Sequence, residues 1–179
     1  MARGDTTDNA AKLLHELHEY HLEHPVTGPV EGHSRTATAA APLSLGTLDH
    51  INGSVREVID HTLETNPAAG PLPQRVQDVY AWMHEQMQHA DEVNQQRAAV
   101  IEYRQYLEHN IRIGNVKVIR PHRCPKCRTF GLMWRHEAQR ALCTNLECVD
   151  RDGISTIVSL AQLAHQHVTA QESKKSSVG

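Results

Sequence analysis

Four cysteines lie in two short pairs toward the C-terminal end of the chain. The pairs are Cys124-Pro-Lys-Cys127 and Cys143-Thr-Asn-Leu-Glu-Cys148, and fifteen residues separate them. Each pair can present two sulfur atoms to one ion from a single turn, and four thiolates suit tetrahedral zinc, a borderline-soft ion without redox chemistry. Four protein ligands leave no position open for water. The spacing therefore predicts one structural Zn²⁺ ion bound by Cys124, Cys127, Cys143 and Cys148.

A disulfide and a redox dithiol are the two alternatives to zinc for these cysteines. Disulfides are rare in a reducing cytosol, and a redox Cys-x-x-Cys normally begins a helix after a strand, a context that this sequence lacks. The second pair has four intervening residues instead of two, which loosens its turn. His122 and His136 flank the cysteines as substitute ligands, but four cysteines make them unnecessary.

Basic residues surround the first cysteine pair. Residues 1–111 carry 7 Lys and Arg against 16 Asp and Glu, whereas residues 112–140 carry 8 against 1, within a net charge of −3. Cations contact phosphates and an exposed aromatic ring can stack on a base, so DNA is one expected partner. The candidate nucleic-acid-binding residues are Lys117, Arg120, Arg123, Lys126, Arg128, Trp134, Arg135 and Arg140. The alternatives are that the cations neutralise the zinc thiolates and that Trp134 packs in the interior.

The fourteen histidines yield no catalytic motif. His15, His18, His21 and His24 recur every three residues, whereas a zinc protease motif needs two histidines four apart with a glutamate between them. Adjacent pairs could bind a transition metal weakly, and a solvated helix face is the commoner explanation. The sequence contains no phosphate-binding loop, nucleophile elbow or dinucleotide fingerprint. We therefore expect no enzymatic activity and no small-molecule substrate.

Helical periodicity dominates the residues before the cysteines. It predicts an N-terminal helix at 1–24, a linker rich in Pro and Gly at 25–46, and a helical domain at 47–114. From Pro73 to about His109 the pattern allows one long helix or a hairpin broken near Ala90–Asp91. A break capped by Asp91 is favoured, because about forty residues is long for a globular helix.

The residues around the cysteines predict a small sheet followed by a helix. Phe130–Arg135 and Arg140–Cys143 are expected to form a hairpin, Ile154–Val158 a third strand, and Val116–Ile119 a further short β-segment. Ser159 and Gln162 form a capping box that begins the last helix. The expected fold is a mainly α helical bundle followed by a small three-stranded β zinc ribbon and a terminal helix, with ribbon and helix at 115–168 and a disordered tail at 169–179.

Composition excludes a membrane-spanning role. No run of about 18 apolar residues occurs, and the first residues lack the apolar stretch of a secretory signal. Aromatic residues are only 4% of the chain, so its core must be aliphatic. We expect a cytoplasmic protein without membrane contact.

Residues 120–166 resemble a group of uncharacterised small proteins of actinobacteriophages and related prophages. The resemblance rests on Arg120-Pro-His-Arg-Cys-Pro-Lys-Cys127, Phe130-Gly-Leu132, Ala141-Leu-Cys143 with Asn145, and Ser159-Leu-Ala-Gln-Leu-Ala164. It implies an α-helical N-terminal region, a C-terminal zinc ribbon with the four cysteine ligands, and a location in the bacterial host cytoplasm or the virion. It implies no activity, although zinc ribbons occur in transcription and replication factors.

Two functions follow as hypotheses. The first is a non-enzymatic, DNA-binding or regulatory zinc-ribbon protein that acts through the basic surface of the ribbon. The second is a phage structural, assembly or protein–protein interaction protein that uses its helical surface, with a protein partner or a second copy of the chain.

Overall fold

The computed structural model describes residues 3–23 and 43–176, which divide into two compact units. The first unit ends at His89 and the second begins at Ala90. The predicted fold class is confirmed, because helices precede and follow a small three-stranded sheet, and the four cysteines cluster in the region of this sheet. Within the described residues, no helix combines the length and the apolarity that crossing a membrane requires.

The first unit consists of three helices that pack against one another. They are α1 (Arg3–Glu23), α2 (Leu43–Thr65) and α3 (Val79–Gln86), and a 3₁₀ turn (Val76–Asp78) leads into α3. Their apolar stripes form a buried core of aliphatic, methionine and aromatic side chains: Ala10, Leu14, Leu17, Ile51, Val58, Val79, Tyr80, Trp82, Met83 and Met87. The predicted linker lies mostly outside the described residues, and its last residues, 43–46, belong to α2.

The helical pattern after Pro73 breaks where predicted. Helix α3 ends at Gln86 and α4 (Glu92–Arg112) begins after Asp91, whose Oδ1 accepts a hydrogen bond of 2.8 Å from the backbone N–H of Asn94. This side-chain cap satisfies one of the donors that a helix start leaves unpaired.

Helix α4 belongs to the same compact unit as the ribbon. The sequence-based division placed this helix in the helical domain at 47–114, whereas its buried face lies in one core with the sheet and the last helix. That core contains Tyr103, Leu107 and Ile111 of α4. The contacts of α4 in this core join residues that are far apart in the sequence. Helical periodicity alone does not predict which partner the apolar face of a helix packs against.

The sheet is antiparallel in the order β1 (Leu132–Arg135), β2 (Arg140–Cys143), β3 (Ile157–Val158). Val116–Ile119, predicted as a β-segment, instead forms a 3₁₀ turn, and that prediction is wrong. Its backbone bonds are local, with the N–H of Arg120 donating to the carbonyl of Lys117 at 3.0 Å, while Ile119 is buried in the core. A β-branched run becomes a strand only where another strand pairs with it.

The last helix, α5 (Leu160–Ser176), begins at the predicted capping box. The N–H of Ser159 donates to Oε1 of Gln162 at 2.8 Å, and the N–H of Gln162 donates to Oγ of Ser159 at 3.2 Å. The helix continues beyond 168 through much of the predicted disordered tail, whose residues 177–179 lie outside the described part. Nε2 of Gln96 on α4 donates to Oε2 of Glu172 at 2.7 Å, which joins this last stretch to α4.

The Asp91 cap gives a first prediction. Asp91→Ala removes the acceptor for the Asn94 N–H, and N-cap substitutions of this kind cost about 1 kcal/mol. Asp91→Asn keeps an acceptor oxygen and serves as the matched control. Its free energy of unfolding should fall by at most a few tenths of the loss in Asp91→Ala. Urea unfolding followed by circular dichroism measures both. Equal stability of Asp91→Ala and the unaltered chain would contradict a capping role.

Candidate metal centre

The first cysteine pair lies in a closed turn. The backbone N–H of Cys124 donates to the carbonyl of Thr129 at 2.9 Å, and the N–H of Arg128 donates to the carbonyl of Cys124 at 2.8 Å. Arg128 adopts a positive φ of 60°, which turns the chain back on itself. The turn brings Sγ of Cys127 to 3.0 Å from Oγ1 of Thr129 and leads into an isolated β-bridge between Arg123 and Phe130.

Gly131 joins this turn to the second cysteine pair. Its carbonyl accepts hydrogen bonds from both the backbone N–H and Oγ1 of Thr144, at 3.0 Å and 2.6 Å. Gly131 has a φ of +121°, and a Cβ atom there would lie 2.5 Å from Oγ1 of Thr144. Only glycine fits this position without displacing its neighbour.

The second pair is held by Thr156, just before β3. The N–H of Cys143 donates to the carbonyl of Thr156 at 2.9 Å. The carbonyl of Cys148 accepts from both the N–H and Oγ1 of Thr156, each at 3.0 Å. The longer spacing of this pair is accommodated by a turn in which the N–H of Cys148 donates to the carbonyl of Asn145 at 2.9 Å.

These turns bring the four predicted ligands together. All four sulfur atoms lie within 4.8 Å of one another, with Sγ–Sγ distances of 3.8 Å between Cys124 and Cys148 and 3.6 Å between Cys127 and Cys143. A tetrahedron of sulfurs around one zinc ion has edges of about 3.8 Å, given zinc–sulfur bonds of about 2.3 Å. None of the four forms a disulfide, so the cluster could hold a metal ion.

The environment of the sulfurs differs across the cluster. Cys124, Cys143 and Cys148 are buried, and Cys127 is half-buried. Burial raises the pKa of the Cys143 thiol to about 12, whereas a hydrogen bond from the Thr129 side chain lowers the pKa of Cys127 to about 6. A metal ion must therefore displace protons from buried thiols to form a four-thiolate site, so acid weakens its binding.

Neither flanking histidine belongs to this cluster. His122 is buried, and its Nε2 lies 3.3 Å from the hydroxyl of Tyr103. His136 is exposed and its ring meets that of Trp134 edge-on, with centroids 6.4 Å apart. The four cysteines are the group of potential ligands that the described residues bring together here.

The predicted nucleic-acid-binding cations all lie on the surface. In the described residues, none of them forms an ion pair with a carboxylate: Lys117, Arg120, Arg123, Lys126, Arg128, Arg135 and Arg140. Three of these side chains donate to backbone carbonyls, including Nζ of Lys126 to Val149 at 2.6 Å. Seven positive charges therefore have no acidic partner in the part of the chain that the structure describes.

Trp134 does not share this exposure. It is only 7% exposed and packs in the core with Leu132 and Ala141, which is the alternative that the sequence left open. The exposed aromatic ring is that of Phe130, at 57%, and the guanidinium carbon of Arg123 lies 4.1 Å from the centroid of that ring. Of these two rings, that of Phe130 is the one that faces solvent.

Sequence reasoning did not find Thr129 and Thr156. Their hydroxyls lie 3.0 Å from Sγ of Cys127 and 3.2 Å from Sγ of Cys148. Thr129 stands two residues after a cysteine, a local signal that could have indicated it. Thr156 is eight residues from Cys148, and an isolated β-bridge between Val149 and Ser155 brings it there.

Comparisons with protein-family models, curated proteins and solved structures returned no match. The resemblance to actinobacteriophage proteins, and the absence of enzymatic activity, therefore remain predictions.

Metal removal gives the second prediction. A strong chelator is expected to increase hydrogen exchange across 132–158, with α4 and α5 loosened because they share the ribbon core. The helices of the first unit should keep their protection. Cys124→Ser and Cys148→Ser should bind less zinc and show the same exchange pattern without chelator. Unchanged exchange at 132–158 in the chelated protein would contradict a structural metal.

The position of Gly131 gives the third prediction. Gly131→Ala forces Oγ1 of Thr144 away and imposes a φ that side chains rarely adopt, so we expect a loss of about 1–3 kcal/mol in the ribbon. Gly53→Ala is the control, since a Cβ there meets nothing within 4 Å, and alanine favours the helix by about 1 kcal/mol. Zinc affinity and thermal unfolding measure the effect. A Gly131→Ala protein as stable as the unaltered chain would contradict the close packing.

Proposed function

We propose that this chain is a zinc-ribbon protein that binds DNA through the basic surface of its ribbon, as a regulatory protein without enzymatic activity. The observation that carries this proposal is the set of seven exposed cations between Lys117 and Arg140 that have no carboxylate partner among the described residues. Solvent-facing Lys and Arg side chains are the groups that contact phosphates in protein–DNA interfaces.

Zinc is the metal that suits the cysteine cluster. Four thiolates with tetrahedral spacing are typical of structural zinc sites, which leave no position for water or substrate. The strands contain four, four and two residues, too few to be stable alone. The role of the ion is therefore to hold the surface that carries the cations.

The zinc ligands do not neutralise this surface. A divalent ion with four thiolates carries two negative charges, against a net charge of +7 in residues 112–140. The remaining positive charge favours a polyanion such as DNA. Release of counterions then makes the affinity depend on salt, with a slope of about −0.9 per phosphate contacted.

Charge reversal tests the proposal. Arg120→Glu, Arg123→Glu and Arg128→Glu together should abolish three phosphate contacts, lower the slope of log affinity against log salt by about 3, and weaken binding at low salt. A triple reversal of exposed cations outside the basic segment, at Arg56, Arg151 and Lys175, changes the net charge equally and should leave the slope almost unchanged. Fluorescence anisotropy with labelled duplex DNA at several salt concentrations measures both.

Two results would contradict DNA binding through the basic surface of the ribbon. One is the absence of measurable affinity for DNA at low salt in the zinc-loaded protein. The other is an equal loss in the two triple variants, which would show that only the total charge matters. Zinc content and circular dichroism establish that each variant is folded.

A further inference from the structure

The outer face of the sheet is apolar across all three strands. The strand register places Met133 opposite Leu142, and Leu142 opposite Ile157. Met133 and Ile157 are 43% and 52% exposed, and Leu142 is half-buried. The alternate residues, Leu132 and Trp134 among them, face the core. The outer row is therefore a solvent-exposed apolar strip that the described fold leaves uncovered.

An unusual pair of charges borders this strip. Arg135 lies directly opposite Arg140 at the end of the hairpin, on the same face as Met133 and Leu142. Like charges placed opposite each other destabilise a strand pair, and neither arginine has a carboxylate partner in the described part of the chain. Nη1 of Arg140 donates to the carbonyl of Gln139 at 3.0 Å, which holds this side chain near the hairpin loop. An anion bound by both arginines would relieve their repulsion.

The other end of β1 carries an exposed ring. Phe130 lies two residues before β1, and the Arg123 guanidinium lies over one face of its ring. A cation over an aromatic face is attracted by the ring and restrains its orientation. With 57% of Phe130 exposed, the residue is available to a planar ligand.

From these features we infer that the ribbon prefers single-stranded over duplex nucleic acid, an inference that rests on the proposed function. The Arg135–Arg140 pair binds phosphate, Phe130 stacks on a base, and the apolar row contacts further bases. In a duplex the faces of the bases are hidden in the stack, and only phosphates and groove edges are accessible. A surface that offers an apolar strip bordered by two arginines, together with an exposed ring shortly before β1, therefore gains more from a single strand.

The distribution of charge favours a single-stranded nucleic acid over an acidic protein segment as the ligand of this strip. The seven unpaired cations extend over the whole of 117–140, beyond the two that border the strip, as binding along a phosphate backbone requires. The ring with an arginine over it matches the stacking contacts of single-strand binders, which accept every base. An acidic polypeptide offers carboxylates but no flat partner for the ring.

The experiment compares a labelled oligothymidine of twelve nucleotides with a duplex of equal phosphate number, using the full chain loaded with zinc. Anisotropy at low salt should show tighter binding of the single strand by about tenfold or more. Phe130→Ala removes one stacked base, worth about 1–3 kcal/mol, so single-strand affinity should fall about 5- to 150-fold while duplex affinity stays the same. Arg135→Gln with Arg140→Gln should also weaken single-strand binding and lower its salt slope.

Leu146→Ala is the matched control, because Leu146 is 89% exposed on the turn of the second cysteine pair and outside the strip. It should leave both affinities unchanged. Zinc content and thermal unfolding show whether Phe130→Ala is folded, and Phe130→Tyr, which keeps a ring, should restore single-strand binding.

The outcomes separate this inference from the proposed function. Duplex binding equal to or tighter than single-strand binding, or equal losses on both ligands in Phe130→Ala, would overturn the single-strand preference while DNA binding stands. Failure of both ligands to bind at low salt would overturn the proposed function as well. Displacement of the oligothymidine by polyglutamate at the same concentration of charge would assign the strip to an acidic protein instead.

Discussion

The closeness of four sulfur atoms is the constraint on which the ribbon depends. Thiolates within 4.8 Å of one another repel, and neutral thiols at that distance offer only weak contacts, so a cation at the centre is what makes the arrangement favourable. The turns of Cys124–Thr129 and Asn145–Cys148 and the two hydrogen bonds from Thr144 to Gly131 place the sulfurs around that centre. The affinity for a metal ion bound there would therefore be linked to the folding of the ribbon.

The metal site and the two helices around it form a single core. Cys124, Cys143 and Cys148 lie in the same buried cluster as Leu107 of α4 and Leu163 of α5. A bound ion consequently restrains more than the small sheet, since any movement of the sulfurs disturbs side chains packed at interior density. The same core explains why α4 belongs to the unit of the ribbon. The apolar face of α4 is buried in that core, although α4 directly follows the helices of the first unit in the sequence.

Local signals in the sequence predicted the features that local chemistry determines. The Asp91 cap, the capping box at Ser159 and the hairpin all depend on residues a few positions apart, and the structure has each of them. Long-range pairing decided the rest. Val116–Ile119 has strand-forming residues but pairs with no strand among the described residues, and Trp134 faces inward because of the register of β1. Thr156 meets Cys148 across the β-bridge between Val149 and Ser155, and its carbonyl accepts a hydrogen bond from the N–H of Cys143. Single-sequence patterns carry no information about such partners.

The charges of the ribbon have an energetic consequence of their own. The ribbon carries seven exposed cations that have no acidic partner among the described residues, and two of them, Arg135 and Arg140, lie opposite each other. These cations repel one another, and the repulsion lowers the stability of the folded ribbon. Screening by salt reduces that repulsion, and a polyanion that binds only the folded form reduces it further. By linkage, binding of such a polyanion stabilises the ribbon and so strengthens retention of the metal, while loss of the metal weakens binding of the polyanion. A metal ion in the cysteine cluster and a polyanion on the basic surface would therefore be coupled through the stability of one small sheet, without direct contact between the two.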